Sequence, residues 1–251
     1  MSLHHHKQFN DKSDLYAAAR PTYPDELFEF LFSQCPDFEQ AWDCGTGSGQ
    51  AAVSLAKRFH HVEATDVSPQ QIANATAHKR VHYSVQPAET THFANDAFSL
   101  ITVAQALHWF EFNKFWPEVH RVLKPGGIFA AWGYSWFHIS TEIDAIIATK
   151  LMPPIKNFWA AQNQLLWDGY QAIPFPFVTI PTPQIILAQQ WNLAQLLAYL
   201  GSWSAVRHCI EANGDEFFVE LTAALGKAWG SAEEKKVISM DFHLMVGRHE
   251  A

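Results

Sequence analysis

The chain is poor in positive charge: 17 lysines and arginines stand against 25 aspartates and glutamates, a formal net charge of −8. That balance excludes a broad phosphate-binding surface, and the clusters Lys57-Arg58, Lys79-Arg80 and Arg121 with Lys124 are too short to follow a nucleic-acid backbone. Cysteine is scarce as well. Cys35, Cys44 and Cys209 lie far apart, giving neither a Cys-x-x-Cys metal pair nor an even-numbered disulfide framework, and they suit a reducing compartment. No run approaches the roughly 20 apolar residues of a membrane-spanning helix, and the first residues lack the apolar centre of a secretory signal. The expectation is a cytoplasmic protein with no membrane or nucleic-acid partner. Histidines are numerous but lack ligand spacing: His78 and His82 are four apart where a helix should already be giving way to a strand, so no metal is predicted. His4, His5 and His6 look tag-like and are set aside.

Apolar residues make up 48% of the chain and charged residues 17%, enough to build a core and too few charges for disorder. At 251 residues one α/β domain with an insertion accommodates the whole sequence. Apolar stretches and helical stripes alternate through its first half. Strands are predicted at 40–44, 61–65, 81–85, 98–104 and 128–134, and a helix opening at Pro24-Asp25-Glu26 carries Leu27, Phe30, Leu31 and Gln34 on one face. Ala52, Leu55, Ala56 and Phe59 mark the next helix. Phe112, Phe115, Trp116, Val119, Val122 and Leu123 mark another, in which Pro117 is tolerable only in the first turn, and Lys124-Pro125-Gly126-Gly127 is read as the turn that ends it. From Phe137 to about Thr182 the alternation stops and prolines accumulate, which predicts a helical insertion or cap. A return to the sheet follows, with strands at 184–190 and 237–246 and helices at 193–200 and 215–228. The fold class is therefore α/β, a Rossmann-like doubly wound, mostly parallel sheet of seven strands with helices on both faces. Residues 1–34 form a segment ahead of the 35–136 core, and 137–182 and 183–251 complete a single domain.

The most informative local feature is Asp43-Cys44-Gly45-Thr46-Gly47-Ser48-Gly49, a carboxylate and three alternating glycines between a strand and a helix. Such a loop lets backbone approach a nucleotide-type cofactor beyond the carboxyl ends of the strands. The dinucleotide fingerprint needs its third glycine at position 50, where this chain has Gln50. Asp66 closes the second strand 17 positions past Gly49, close to the interval at which nucleotide-binding sheets place a ribose acceptor.

Gln86-Pro87-Ala88-Glu89, then Phe98 to Trp109, then Leu123 to Gly127 follow in order. With the glycine loop these segments resemble the motifs of class I S-adenosylmethionine-dependent methyltransferases. The opening Tyr16 to Pro24 and the pair His108-Trp109 are most similar to the trans-aconitate methyltransferase-like, or type 11, subgroup. The resemblance covers roughly residues 14–134. It implies S-adenosylmethionine as cofactor and S-adenosylhomocysteine as product, with Asp43, Gly45, Thr46 and Gly47 around the methionine portion. It further implies Asp66 on the ribose, Val67 beside the adenine, Ala88 and Glu89 at the adenine edge, and Ala104, Gln105 and His108 beneath the sulfonium. Tyr16 and Arg20 would close over the cofactor. Many relatives carry an acid where this chain has Pro87.

Methyl transfer from a sulfonium is an in-line displacement, and a base is needed only for acceptors that are not already ionised. His108 is the candidate catalytic residue for that role. The acceptor implied is a small molecule, a carboxylate among the possibilities, and Trp109, Trp132, Tyr134 and Trp136 are candidates for its pocket. Plainer readings stand beside these: Asp66 as a helix cap, Asp43 as a buried residue bracing the loop, His108 as a hydrogen-bonding residue, and the aromatics as packing. The rival functions are a nicotinamide-dependent oxidoreductase, disfavoured by Gln50, and a non-catalytic cofactor-binding module. Oligomeric state is not legible.

Overall fold

The computed structural model describes residues 20–250, which divide into two compact units. The first comprises residues 23–135, 164–186 and 241–250; the second comprises 20–22, 136–163 and 187–240. The cap expected over 137–182 is thus drawn elsewhere. Residues 164–186 join the first unit, and most of the expected C-terminal return packs with residues 136–163.

In the first unit, helix α1 (Asp25–Gln34) precedes strand β1 (Gln40–Cys44), helix α2 (Gln50–Leu55) and strand β2 (His61–Asp66). A short helix α3 (Pro69–Ala73), capped by the Ser68 hydroxyl, leads to β3 (Val81–Val85). Then come β4 (Phe98–Ala104), a 3₁₀ turn at Leu107–Trp109, helix α4 (Phe112–Val122) and all but the last three residues of β5 (Leu123–His138). Helix α1 buries Leu27, Phe28, Leu31 and Phe32, a face rotated from the one expected, which had included Phe30 and Gln34. The stripe Ala52, Leu55, Ala56 and Phe59 is buried as expected.

Two differences concern proline and glycine. Pro117 lies inside α4, where it removes a helical hydrogen bond at a cost of about 3 kcal/mol. Burial of Phe115, Trp116, Val119 and Val122 on the same helix offsets that loss. The Lys124-Pro125-Gly126-Gly127 segment does not end in a free turn; β5 runs through it, with a register shift between Phe98 and Leu100 on β4. The C-terminal end of the chain holds it there: Gly126 N–H donates to the His249 carbonyl at 2.7 Å, and His249 N–H to Gly127 at 2.9 Å.

Helix α7 (Asn163–Trp167) and strand β6 (Val178–Thr179) follow the insertion in the first unit. The insertion itself contains α5 (Thr141–Ile146), one π turn at Ile147–Leu151 and α6 (Met152–Ile155). The second unit adds β7 (Leu187–Trp191), α8 (Leu193–Ser202), α9 (Ser204–Asn213), α10 (Glu216–Trp229) and the beginning of β8 (Lys236–Arg248). Asn192 and Gln195 form a reciprocal capping box at the start of α8. Around it, Trp191, Tyr199, Trp203 and Phe137 pack edge to face or tilted, with centroids 5.0–6.1 Å apart.

Strand order is β3-β2-β1-β4-β5-β8-β6, with β7 antiparallel to the first half of β8; β7 and β8 answer to the strands expected at 184–190 and 237–246, and the short β6 is an eighth strand beyond the seven expected. Pairs β1–β2, β2–β3, β1–β4 and β4–β5 are parallel, and β6–β8 is antiparallel. The chain builds outward from β1 to β3, then returns to start again at β4. The strand order therefore reverses between β1 and β4, which is where an open α/β sheet forms its ligand crevice. Both central strands are buried over nearly their whole length, as a parallel sheet covered on both faces requires.

Candidate active site

The loop after β1 sits at the reversal point, and each of its glycines does a different job. Gly45 has φ +69, and a Cβ there would lie 2.7 Å from the Ala106 Cβ. Its bareness lets the turn after β4 pack against the loop, rather than clearing space for a ligand. Gly47 has φ +55 and nothing within 4 Å of where its Cβ would be, so its bare side faces open space. Gly49, at φ +83, caps α2, and a Cβ there would stand 2.2 Å from the Tyr83 hydroxyl of β3.

Asp43, expected beside the methionine portion, is turned inward instead and fully buried. Its Oδ2 accepts from the Thr46 hydroxyl at 2.5 Å and the Ala52 N–H at 3.1 Å, and its Oδ1 accepts from the Thr102 hydroxyl at 2.7 Å. The carboxylate therefore ties the glycine loop and the start of α2 to β4. Thr46 is engaged in the same cluster. Burial pushes the Asp43 carboxyl up to about 6, against the pull of the two hydroxyls and the Ala52 N–H, and nearby Asp66 adds to the rise.

Asp66 stands at the rim. Its Oδ2 accepts from Gly47 N–H at 3.0 Å and its Oδ1 from Ser68 N–H at 2.8 Å. Each oxygen keeps a second lone pair, so bracing the loop and accepting from a ligand are compatible. Next to it Val67 is 68% exposed, and Val85, the register partner of Asp66, is 50% exposed. Two open apolar side chains beside a carboxylate and an open glycine backbone fit an adenosyl group: a ring to cover, hydroxyls to accept from, and room for main chain to approach. Ala88 is buried, and Glu89 accepts from the Glu111 N–H at 3.0 Å, which ties it to the start of α4.

Gln105 follows β4 with φ +57, a conformation costly for a side chain of its kind. It is held there on three sides. Its backbone N–H donates to the Trp132 carbonyl at 2.8 Å, and its amide both accepts from Tyr134 N–H at 3.1 Å and donates to the Tyr134 carbonyl at 3.0 Å. His108, in the following turn, is 5% exposed, and burial pushes its imidazole down to about 4. Its Nδ1 lies 3.4 Å from the hydroxyl of Tyr170.

The expected aromatic pocket is not assembled as a set. Trp132 is fully buried in the core, edge to face with Tyr23 and Phe28 at 5.4 and 6.0 Å, because the strand's alternation turns it toward α1. Tyr134 is buried as well, and Trp136 belongs to the second unit, where its ring meets Trp203 at 6.4 Å. Trp109 is half exposed. Arg20 is exposed in the second unit, Ala104 is partly buried at the end of β4, and Tyr16 lies outside the described residues.

Sequence reasoning missed Thr102, Gly133 and Tyr170. A Cβ on Gly133 would stand 2.4 Å from Leu166, 2.6 Å from the Gln105 amide oxygen and 3.0 Å from the Tyr170 hydroxyl, so this glycine makes room for all three. A glycine between Trp132 and Tyr134 was the available signal. No group of three or more histidine, cysteine or acidic side chains able to hold a metal ion occurs among the described residues. None of their helices is long and apolar enough to cross a membrane.

The chain is similar to methyltransferases by three comparisons. Residues 42–131 match a family model described as a methyltransferase domain. A protein of Dictyostelium discoideum named as a methyltransferase is 32% identical over 244 residues, covering 94% of this chain and 93% of that one. An uncharacterized methyltransferase of Mycobacterium tuberculosis is 30% identical over 120 residues, 47% of this chain and 49% of its own length. A solved structure of a type II methyltransferase from Anaeromyxobacter dehalogenans is 35% identical, covers 92% of this chain and 98% of its own, and superimposes with a TM-score of 0.84.

Proposed function

From the fact that this chain belongs to the class I S-adenosylmethionine-dependent methyltransferases, we propose that it methylates a small-molecule acceptor in the cytoplasm, at the carboxyl ends of β1, β2 and β4. One observation carries the placement. The open face of Gly47 lies at the point where strand order reverses, and its N–H is bonded to the Asp66 carboxylate at the end of neighbouring β2, beside the exposed Val67 and Val85. In this reading Gly47 and Asp66 hold the donor, Val67 and Val85 cover its ring, and the braced turn of Gln105 and His108 presents the acceptor.

When bound, S-adenosylmethionine supplies an electrophilic methyl group on sulfur. The chain's own contribution is then to hold the acceptor in line with that methyl and to exclude water, which requires rigid walls more than a reactive side chain. The Gln105 clamp and the Asp43 cluster supply that rigidity. The net negative charge argues for a small acceptor over a nucleic acid.

Thermal shift tests the reading, because a ligand that binds the native state raises the midpoint according to its concentration over its dissociation constant. S-adenosylmethionine and S-adenosylhomocysteine are expected to stabilise the protein and NAD is not; a response to NAD alone would refute the reading. Asp66→Ala is expected to weaken S-adenosylhomocysteine binding roughly 10- to 100-fold, the equivalent of ~1.5–3 kcal/mol of charge-assisted hydrogen bonding. Calorimetry on the folded variant checks this, and an unchanged affinity would remove Asp66 from the site. A screen of small acids and phenols for formation of S-adenosylhomocysteine identifies the acceptor.

A further inference from the structure

His108 and Tyr170 are 62 residues apart in sequence and meet inside the first unit, with rings 24° from parallel and centroids 6.3 Å apart. The backbone goes out of its way to bring them together. Helix α7 ends with Gly169 N–H donating to the Leu166 carbonyl at 2.9 Å and Tyr170 N–H to Leu165 at 2.8 Å, with Gly169 left-handed at φ +63, a Schellman motif. Tyr170 then adopts φ +63 itself, a conformation that is strained for a residue bearing a side chain. Gly133 is bare opposite the hydroxyl, where a Cβ would press to 3.0 Å.

The phenol is fully buried, and among the described residues its one hydrogen-bond partner is Nδ1 of His108. A buried O–H left without an acceptor loses its hydration uncompensated, so the hydroxyl donates and Nδ1 accepts. The opposite arrangement would satisfy Nδ1–H but orphan the phenolic hydrogen. A neutral imidazole carries one N–H, and with Nδ1 accepting it must be on Nε2. The ring is neutral at pH 7 because burial holds it near 4, and no charged side chain contributes to that shift.

We propose that Tyr170 is a positioning residue that fixes His108 as the Nε2–H tautomer, so that His108 serves methyl transfer as a hydrogen-bond donor to the acceptor and not as its base. The donor role rests on the methyltransferase reading above, whereas the tautomer stands on geometry alone. The acceptor then enters with its nucleophilic atom already anionic. That atom forms the bond to the methyl carbon as the carbon–sulfur bond breaks, its electron pair remains on sulfur, and no proton passes to His108.

The tautomer is read from long-range ¹H–¹⁵N spectra of the ¹⁵N-labelled full chain at pH 7, with the His108 signals identified by their loss in His108→Gln. An unprotonated-type Nδ1 shift and a protonated-type Nε2 shift are expected, unchanged down to about pH 5. In Tyr170→Phe, checked as folded by its thermal midpoint, both tautomers are expected to be populated. An Nδ1–H ring or an imidazolium in the native protein at pH 7 overturns the proposal, as does a folded Tyr170→Phe protein whose tautomer is unchanged. Titration of S-adenosylhomocysteine into the same sample keeps the two ideas apart: failure to bind refutes the methyltransferase site, while the tautomer result stands independently.

Discussion

Gly49→Ala is expected to destabilise the protein by about 3 kcal/mol. Two terms set the magnitude. An alanine at φ +83 is left-handed, at a cost of about 1–2 kcal/mol. Its Cβ would also stand 2.2 Å from the Tyr83 hydroxyl and 2.9 Å from two ring carbons, so the ring must leave and surrender its 2.7 Å bond to the Thr76 carbonyl. That bond contributes a further ~0.5–1.5 kcal/mol. The contact predicts a coupling that backbone strain alone would not give: Tyr83→Ala should cost less in the Gly49→Ala background than in the native protein. Chemical denaturation of the four proteins measures it, and strict additivity would show that Tyr83 does not lean on the loop.

Asp43 gives the second large effect, through a contrast between two substitutions. Asp43→Asn keeps acceptors for the Ala52 N–H and the Thr46 hydroxyl and offers an N–H₂ to the Thr102 oxygen, so the cluster survives without its charge. Asp43→Ala leaves three donors facing nothing and is expected to be about 3 kcal/mol less stable than Asp43→Asn, at roughly 1–3 kcal/mol for each orphaned group. The pH dependence has a definite sign. The folded pKa of about 6 lies above the usual value of 3.8, so the fold favours the protonated form. The stabilisation is therefore fully present below about pH 3.8 and lost as the pH rises through 6. Relative to Asp43→Asn, the native protein is expected to lose up to roughly 3 kcal/mol between pH 4 and 7. A stability difference that stays constant over that range would mean the carboxylate ionises there without penalty.

The parts legible in the sequence were those determined by neighbours along the chain. Alternating glycines between an apolar strand and a helical stripe specified β1, the loop and α2, and Asp66 followed at the end of the next strand. What escaped depended on contacts across the sheet. Asp43 turns inward because Thr102, 59 residues away, sits beside it on β4. Trp132 reads as a pocket residue because its place near the end of β5 is evident from the sequence and the face to which the strand turns it is not. The Pro-Gly-Gly segment reads as a turn in isolation, and it is His249, more than 120 positions on, that holds it in the sheet. Tyr170 was invisible for the same reason, compounded by a left-handed backbone that no propensity anticipates.

The way α7 ends has a consequence for how this protein can vary. Between Leu165 and Tyr170 the chain has no slack, because each added or deleted helical residue swings everything after it by about 100° around the axis. Insertions there would carry the phenol away from its imidazole, even if every side chain were retained. Grafts, tags and changes of length are better placed in the exposed stretch around residues 181–184, where no such alignment is at stake.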